Sequence, residues 1–205
     1  DASGNPVAIG AGSSGEFLKS QGAGSVPVFA AAAAGGAWNL LATTTASGAS
    51  TANFVHGSGD IDFTTYKIYK LIGTDLDSSA DDTNLTILYS DDTGVSYETS
   101  TYDCTFNYTN HDGSPAASGD DAAMVMNNIG NAAGETGGFE CTFANLSNTS
   151  LNKVSWFIGA TQYHTGSLRL FNGGAIWKSL DDVDAIQFKM SSGTFSGTLK
   201  LYGIS

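Results

Sequence analysis

Positive charge is what this chain has least of. Eight Lys and Arg stand against twenty Asp and Glu in 205 residues, Arg169 is the single arginine, and the formal net charge is −12. Nucleic acids and anionic membranes are bound through Lys and Arg, so this balance argues against both, while it favours solubility at high local density. Long apolar runs are missing as well. No stretch approaches the 18 or so residues that span a bilayer, and Ala30 to Ala34 is too short and too weakly apolar. The chain has no G-x-S-x-G elbow, no H-E-x-x-H, no P-loop and no dinucleotide fingerprint after a strand pattern. Its three histidines, His56, His111 and His164, are scattered, which suits neither a triad nor a zinc site with the two cysteines. No catalytic residue, metal or cofactor is assigned. An initiator Met and a signal peptide are also lacking, so a processed product or a piece of a longer chain is expected.

What is present points to β-structure. The 26 glycines and the abundant Ser, Thr, Asn and Asp suit a β-rich extracellular or particle-surface protein. Residues 37–205 are expected to form one domain, since roughly 170 residues bury near 70% of their unfolded surface in a single core. Strand patterns run over Trp38–Thr45, Ser50–Val55, Tyr66–Ile72, Asn84–Tyr89, Tyr97–Tyr108, Ala123–Asn127, Phe139–Leu146, Lys153–Tyr163, Ser167–Trp177, Ala185–Met190 and Gly197–Ile204. The clearest alternation sets Tyr102, Cys104, Phe106 and Tyr108 against Asp103, Thr105 and Asn107. Asp120 to Ile129 has a helix-capping start, cut short by Asn127, Asn128 and Gly130. With no crossover helices, the expected fold is all-β: an antiparallel two-sheet sandwich of jelly-roll type.

The acidic residues cluster in turn-like segments. Ser90, Asp92, Gly94 and Tyr97 fit S-x-D-x-G-x-x-aromatic, and resemble the Asp-box of sialidases and related β proteins. In physical terms this is a hairpin turn: Gly94 takes positive φ, Asp92 accepts backbone N–H groups, and Tyr97 packs beneath. The pairs Asp60/Asp62, Asp81/Asp82, Asp91/Asp92 and Asp120/Asp121 read as solvated turn formers rather than as two carboxyls across a cleft. Asp181, Asp182 and Asp184 offer hard oxygen ligands for calcium, but no EF-hand spacing is present and none is predicted. Asn84, Asn107, Asn145 and Asn148 head Asn-x-Ser/Thr sequons in a Ser/Thr-rich chain.

Residues 1–36 form a Gly-punctuated leader that cannot make a core. Its composition fits a slack tether, but a plain tether has no need of Phe17, Leu18, Val28 and Phe29, which fit a ribbon ordering against a neighbour or copies of itself. The series Gly12, Gly15, Leu18, Ser20, Gly22, Gly24, Pro27, Phe29 resembles a short unit of bacteriophage tail-fibre and appendage proteins, often found before a terminal β domain. Trp38–Leu41, Tyr66–Leu71, Tyr89–Asp92 and Gly197–Ile204 are similar to that family's domain. The resemblance implies a non-enzymatic virion protein, a fibre or fibre-like appendage subunit assembled in the bacterial cytoplasm and displayed on the particle. It further implies a homotrimer contacting other virion proteins through Phe17, Leu18, Val28 and Phe29, and a host-surface glycan as ligand. In a reducing cytoplasm Cys104 and Cys141, both in inward phase, are expected as buried thiols rather than a disulfide. A glycan patch is expected at Tyr163, His164 and Trp177, where strand ends would supply stacking rings and polar groups; otherwise Trp156 and Phe157 are core and Trp177 anchors a strand end. Competing readings are a capsid decoration or head-fibre protein, and a secreted carbohydrate-binding or depolymerase module.

Overall fold

The computed structural model describes residues 10–14, 16–31, 37–110, 115–120, 123–163 and 165–205. Among these every regular element is a β-strand, and all the strand pairings are antiparallel. The chain divides into two units, Asp1–Gly36 and Ala37–Ser205.

In the first unit β1 (Glu16–Lys19) pairs with β2 (Val28–Ala31), so Leu18 sits opposite Phe29 and Lys19 opposite Val28. Gly22 and Gly24 make the reversal with φ of +96° and +81°, a region that glycine enters without steric cost. Gly12 passes so close to Phe29 that a β-carbon there would fall 2.4 Å from the ring. Strand alternation puts Leu18 and Phe29 on one face of the ribbon and Phe17 and Val28 on the other. These four side chains are 38–51% exposed in the single chain.

The second unit begins with β3 (Trp38–Ala49), β4 (Thr51–Val55), β5 (Ile68–Ser78) and β6 (Thr83–Ser90). It continues with β7 (Tyr102–Asn110), β8 (Pro115–Asp120), β9 (Ala123–Ile129) and β10 (Gly137–Ala144). It closes with β11 (Lys153–Gln162), β12 (Leu168–Trp177), β13 (Ala185–Met190) and β14 (Phe195–Ile204). One sheet has eight strands in the order β3-β14-β5-β10-β11-β12-β7-β8, and the other has four, β4-β13-β6-β9. Distant segments therefore close in nested pairs: β3 with β14, β4 with β13, β5 with β10, β6 with β9. The β7–β8 and β11–β12 hairpins widen the larger sheet beyond β10.

All eleven strand patterns read from the sequence are strands. The helix-capping start at Asp120 does not lead into a helix: Ala123–Ile129 is β9, paired with β6. Tyr97 lies in the loop before β7 rather than on it. Pro115–Asp120 forms a strand that composition alone did not suggest, because Pro, Gly, Ala and Asp carry little β preference, and the four-residue strands of the leader hairpin are too short to show an alternation.

The two sheets share one hydrophobic core. Phe139 on β10 meets Phe188 on β13 at 5.7 Å between ring centres, and Tyr89 on β6 lies 5.5 Å from Trp177 on β12 and 6.4 Å from Phe143 on β10. Phe106, Phe157 and Phe171 fill the end of the core nearest β7. There glycine stands opposite aromatic: Phe157 faces Gly173 and Phe171 faces Gly159 across the β11–β12 ladder, so each ring covers the space a β-carbon would take. On β7, Tyr102, Cys104 and Phe106 point inward while Asp103, Thr105 and Asn107 face water. Cys104 and Cys141 are buried and not joined in a disulfide. Alternation also separates two residues expected together in the core: Phe157 is buried, but Trp156 stands exposed on the outer face beside Ile158.

Registers across the large sheet run in line. Trp38, Ile204, Ile68, Ala144, Val154, Ile176 and Asp103 form one transverse row from β3 to β7, close to Lys153 and Trp177. The chain comes in beside this row at Ala37, whose carbonyl accepts the Ser205 N–H at 3.2 Å. At the far end of the strands Thr161, Arg169 and Asn110 form another row.

Candidate functional site

The predicted glycan patch does not come together. Gln162 pairs with Leu168 and Lys153 with Trp177, so Tyr163 and Trp177 lie at opposite ends of a ten-residue hairpin, roughly 30 Å apart at ~3.3 Å per residue. Consecutive antiparallel strands end at opposite edges, so two strand ends that follow one another in sequence are not neighbours in space. Trp177 is moreover 1% exposed, a core residue beside Tyr89. His164 lies outside the described residues.

Tyr163 belongs to a different constellation, built around Arg169. Along β12, Arg169, Phe171, Ala175 and Trp177 share the inward phase, so the single arginine is drawn into the fold and is 4% exposed. Its guanidinium lies over two rings, 4.2 Å from the centre of Tyr108 and 3.7 Å from that of Tyr163. Its edge is held by carboxamides: Nε donates to Asn110 Oδ1 at 3.1 Å and Nη1 to Asn127 Oδ1 at 2.6 Å. Among the described residues no carboxylate comes within ion-pair distance of it.

The β11–β12 connection completes the site. The Tyr163 N–H donates to the Ser167 carbonyl at 2.8 Å, the Gly166 N–H donates to the Tyr163 carbonyl at 2.6 Å, and Gly166 takes φ +78°. A cavity of about 350 Å³ opens here, lined by Tyr108, Asn110, Tyr163, Thr165, Ser167, Leu168 and Arg169. The buried Glu135 accepts the Ala132 N–H at 2.8 Å and lies outside this lining. Sequence reasoning found Tyr163 but missed Arg169. The available signal was a lone cation in phase with the buried aromatics of its own strand.

Three of the clustered carboxylates, Asp62, Asp92 and Asp181, act as turn formers, while Asp121 and the Asp120 side chain lie outside the described residues. Asp92 accepts the Val95 and Ser96 N–H groups and the Ser96 and Ser90 hydroxyls, Gly94 takes φ +81°, and Tyr97 packs on the core. Those hydrogen bonds, Ser96 first, hold the Asp92 carboxyl down at about 2. The motif is not a hairpin turn, however. It carries the chain from β6 in the four-stranded sheet to β7 in the eight-stranded one. Asp62 does a similar job with Thr64 and Thr65, and its carboxyl is likewise held at about 2. Asp181 accepts the Ser179 hydroxyl, and among the described residues no group of His, Cys, Asp and Glu has metal-binding geometry.

No family model, curated protein or solved structure matches the chain.

Proposed function

We propose that this chain is a non-enzymatic structural protein of a bacteriophage particle, a fibre or fibre-like appendage subunit that displays its β domain for attachment to a host-surface glycan. The observation that carries this reading is the leader hairpin. A two-stranded ribbon is marginal in water by itself, and this one bears large apolar side chains on both faces, Leu18 with Phe29 and Phe17 with Val28. Copies of the same hairpin around a threefold axis would cover both faces, which accords with the homotrimer that the leader motif implies.

Two further features support it. The nested order β3-β14-β5-β10 against β4-β13-β6-β9 supports reading the domain as a two-sheet jelly roll, an architecture suited to display, with two hairpins added at one side. Arg169 and its pocket lie at the opposite end of the strands from Ala37, so a domain anchored through Ala37 carries its pocket outward. Three weak pockets acting together then supply avidity that one shallow site lacks.

The test is the solution mass of the full chain and of its Leu18→Asp/Phe29→Asp double variant. We expect a trimer that falls to monomer in the variant; a monomeric parent chain at high concentration would remove the assembly role. Antibody labelling of particles along the capsid shell instead of an appendage would make it a decoration protein.

A further inference from the structure

We infer that the Arg169 pocket is a binding site for an acidic saccharide, a sugar ring carrying one carboxylate. This deepens the attachment reading, and rests on it only for where the sugar comes from. Tyr108 and Tyr163 cover the guanidinium, so a ligand reaches it through its in-plane edge. That is the approach a planar carboxylate makes in a two-pronged hydrogen bond.

The two described hydrogen-bond partners of Arg169 fix its orientation and are both neutral. Asn110 and Asn127 take Nε and Nη1 with neutral carboxamide oxygens. A guanidinium has five N–H donors, and a buried cation is costly unless an anion meets it. The arginine borders a cavity of about 350 Å³, at the small end of the range for ligand pockets.

The lining selects the rest of the ligand. Thr165 and Ser167 bring hydroxyls that bond sugar hydroxyls, and Tyr108 and Tyr163 bring ring edges and faces. One arginine matches one negative charge. A phosphate or sulfate dianion brings a second negative charge, which the one cation among the described lining residues leaves unmatched.

The experiment titrates the full chain with glucuronate, galacturonate and glucose by calorimetry, with sulfate as competitor. At least one hexuronate should bind, glucose should bind at least ~10-fold more weakly, and sulfate should not displace the uronate. Arg169→Lys should lose ~10-fold or more in uronate affinity, because an ammonium lacks the fork. Should that variant not fold, Thr165→Trp at an exposed position on the pocket rim should abolish binding by filling it. Equal affinity for glucose, displacement by sulfate, failure of both uronates to bind, or unchanged binding in folded Thr165→Trp would each overturn the proposal. Host adsorption is measured separately. Uronate binding without any effect of uronate on adsorption keeps this site and removes the attachment reading.

Discussion

The two ends of the β11–β12 hairpin each bury one cation against aromatic rings, yet one end is closed and the other open. At one end Lys153 lies 5.9 Å from the centre of the Trp177 ring, and its Nζ donates to the carbonyls of Asn148, Ser179 and Leu151 at 2.7, 3.3 and 3.5 Å. The three hydrogens of the ammonium are thereby used, and burial lowers its pKa against the opposing pull of Asp181 and Asp182. The surface hollow beside it is lined by Asp91, Glu98 and Asp181 around Lys178, a setting that repels anions. At the other end Arg169 is fixed by two side-chain amides and faces a hydroxyl-lined cavity. The contrast separates two uses of a buried charge. Backbone carbonyls consume a lysine and tie loops together, whereas neutral side-chain acceptors aim an arginine and keep its charge on offer.

The largest effect expected from breaking this contrast is at the closed end. Lys153→Met leaves the three carbonyls without their donor and should cost about 3 kcal/mol in urea unfolding, with uronate affinity unchanged in the folded protein. A loss below about 1 kcal/mol would mean that Lys153 does not tie these loops together. Next comes the middle of the hairpin, which holds the two ends in register. A β-carbon on Gly173 would fall 2.3 Å from the Thr105 carbonyl oxygen and 2.6 Å from the Phe157 ring. Gly173→Ala should therefore destabilise by about 2 kcal/mol through overpacking. Gly174→Ala, whose nearest atom would be 3.2 Å away, should cost clearly less, and equal costs would dismiss the close-approach explanation.

The smallest effect lies in the acidic loops near the closed end. Asp92 titrates at about 2 in the fold against 3.8 in its reference state, so its contribution is present above pH 3.8 and is lost as pH falls through about 2. Asp92→Asn should make the acid limb of the stability curve shallower across that window. Uronate binding at neutral pH should not change. An acid limb identical to the parent's would show that the hydrogen bonds from Ser90 and Ser96 to Asp92 do not form in solution.

Local pattern carried much of this fold into view, and long-range pairing did not. Phe139, Cys141 and Phe143 announced a strand by alternation, and Ser90, Asp92 and Gly94 announced a turn by the chemistry of their side chains. Each of those signals lies within a few residues. By contrast, the closure of β3 on β14 joins Trp38 to Ile204, and no local preference encodes a partner that distant. The site suffered from the same gap. Tyr163 and Trp177 look close because both end a strand pattern, and only the antiparallel register reveals them as far apart. Arg169 gathers Tyr108, Asn110, Asn127 and Tyr163 from two other strands and a loop, so its neighbours became visible only with the sheet.

The transverse rows have a mechanical consequence. Ala37 and the Arg169 pocket sit at opposite ends of the strands and well apart in the order of the sheet. A pull between a ligand held at Arg169 and Ala37 therefore loads the ladders partly along the strands and partly across them, and the ladder hydrogen bonds run across the strands. Under the part of the load along the strands, the bonds of a ladder are sheared together rather than peeled one by one. Pulling Ala37 away from Ser205 would do the reverse, opening the β3–β14 ladder like a zipper from its first rung.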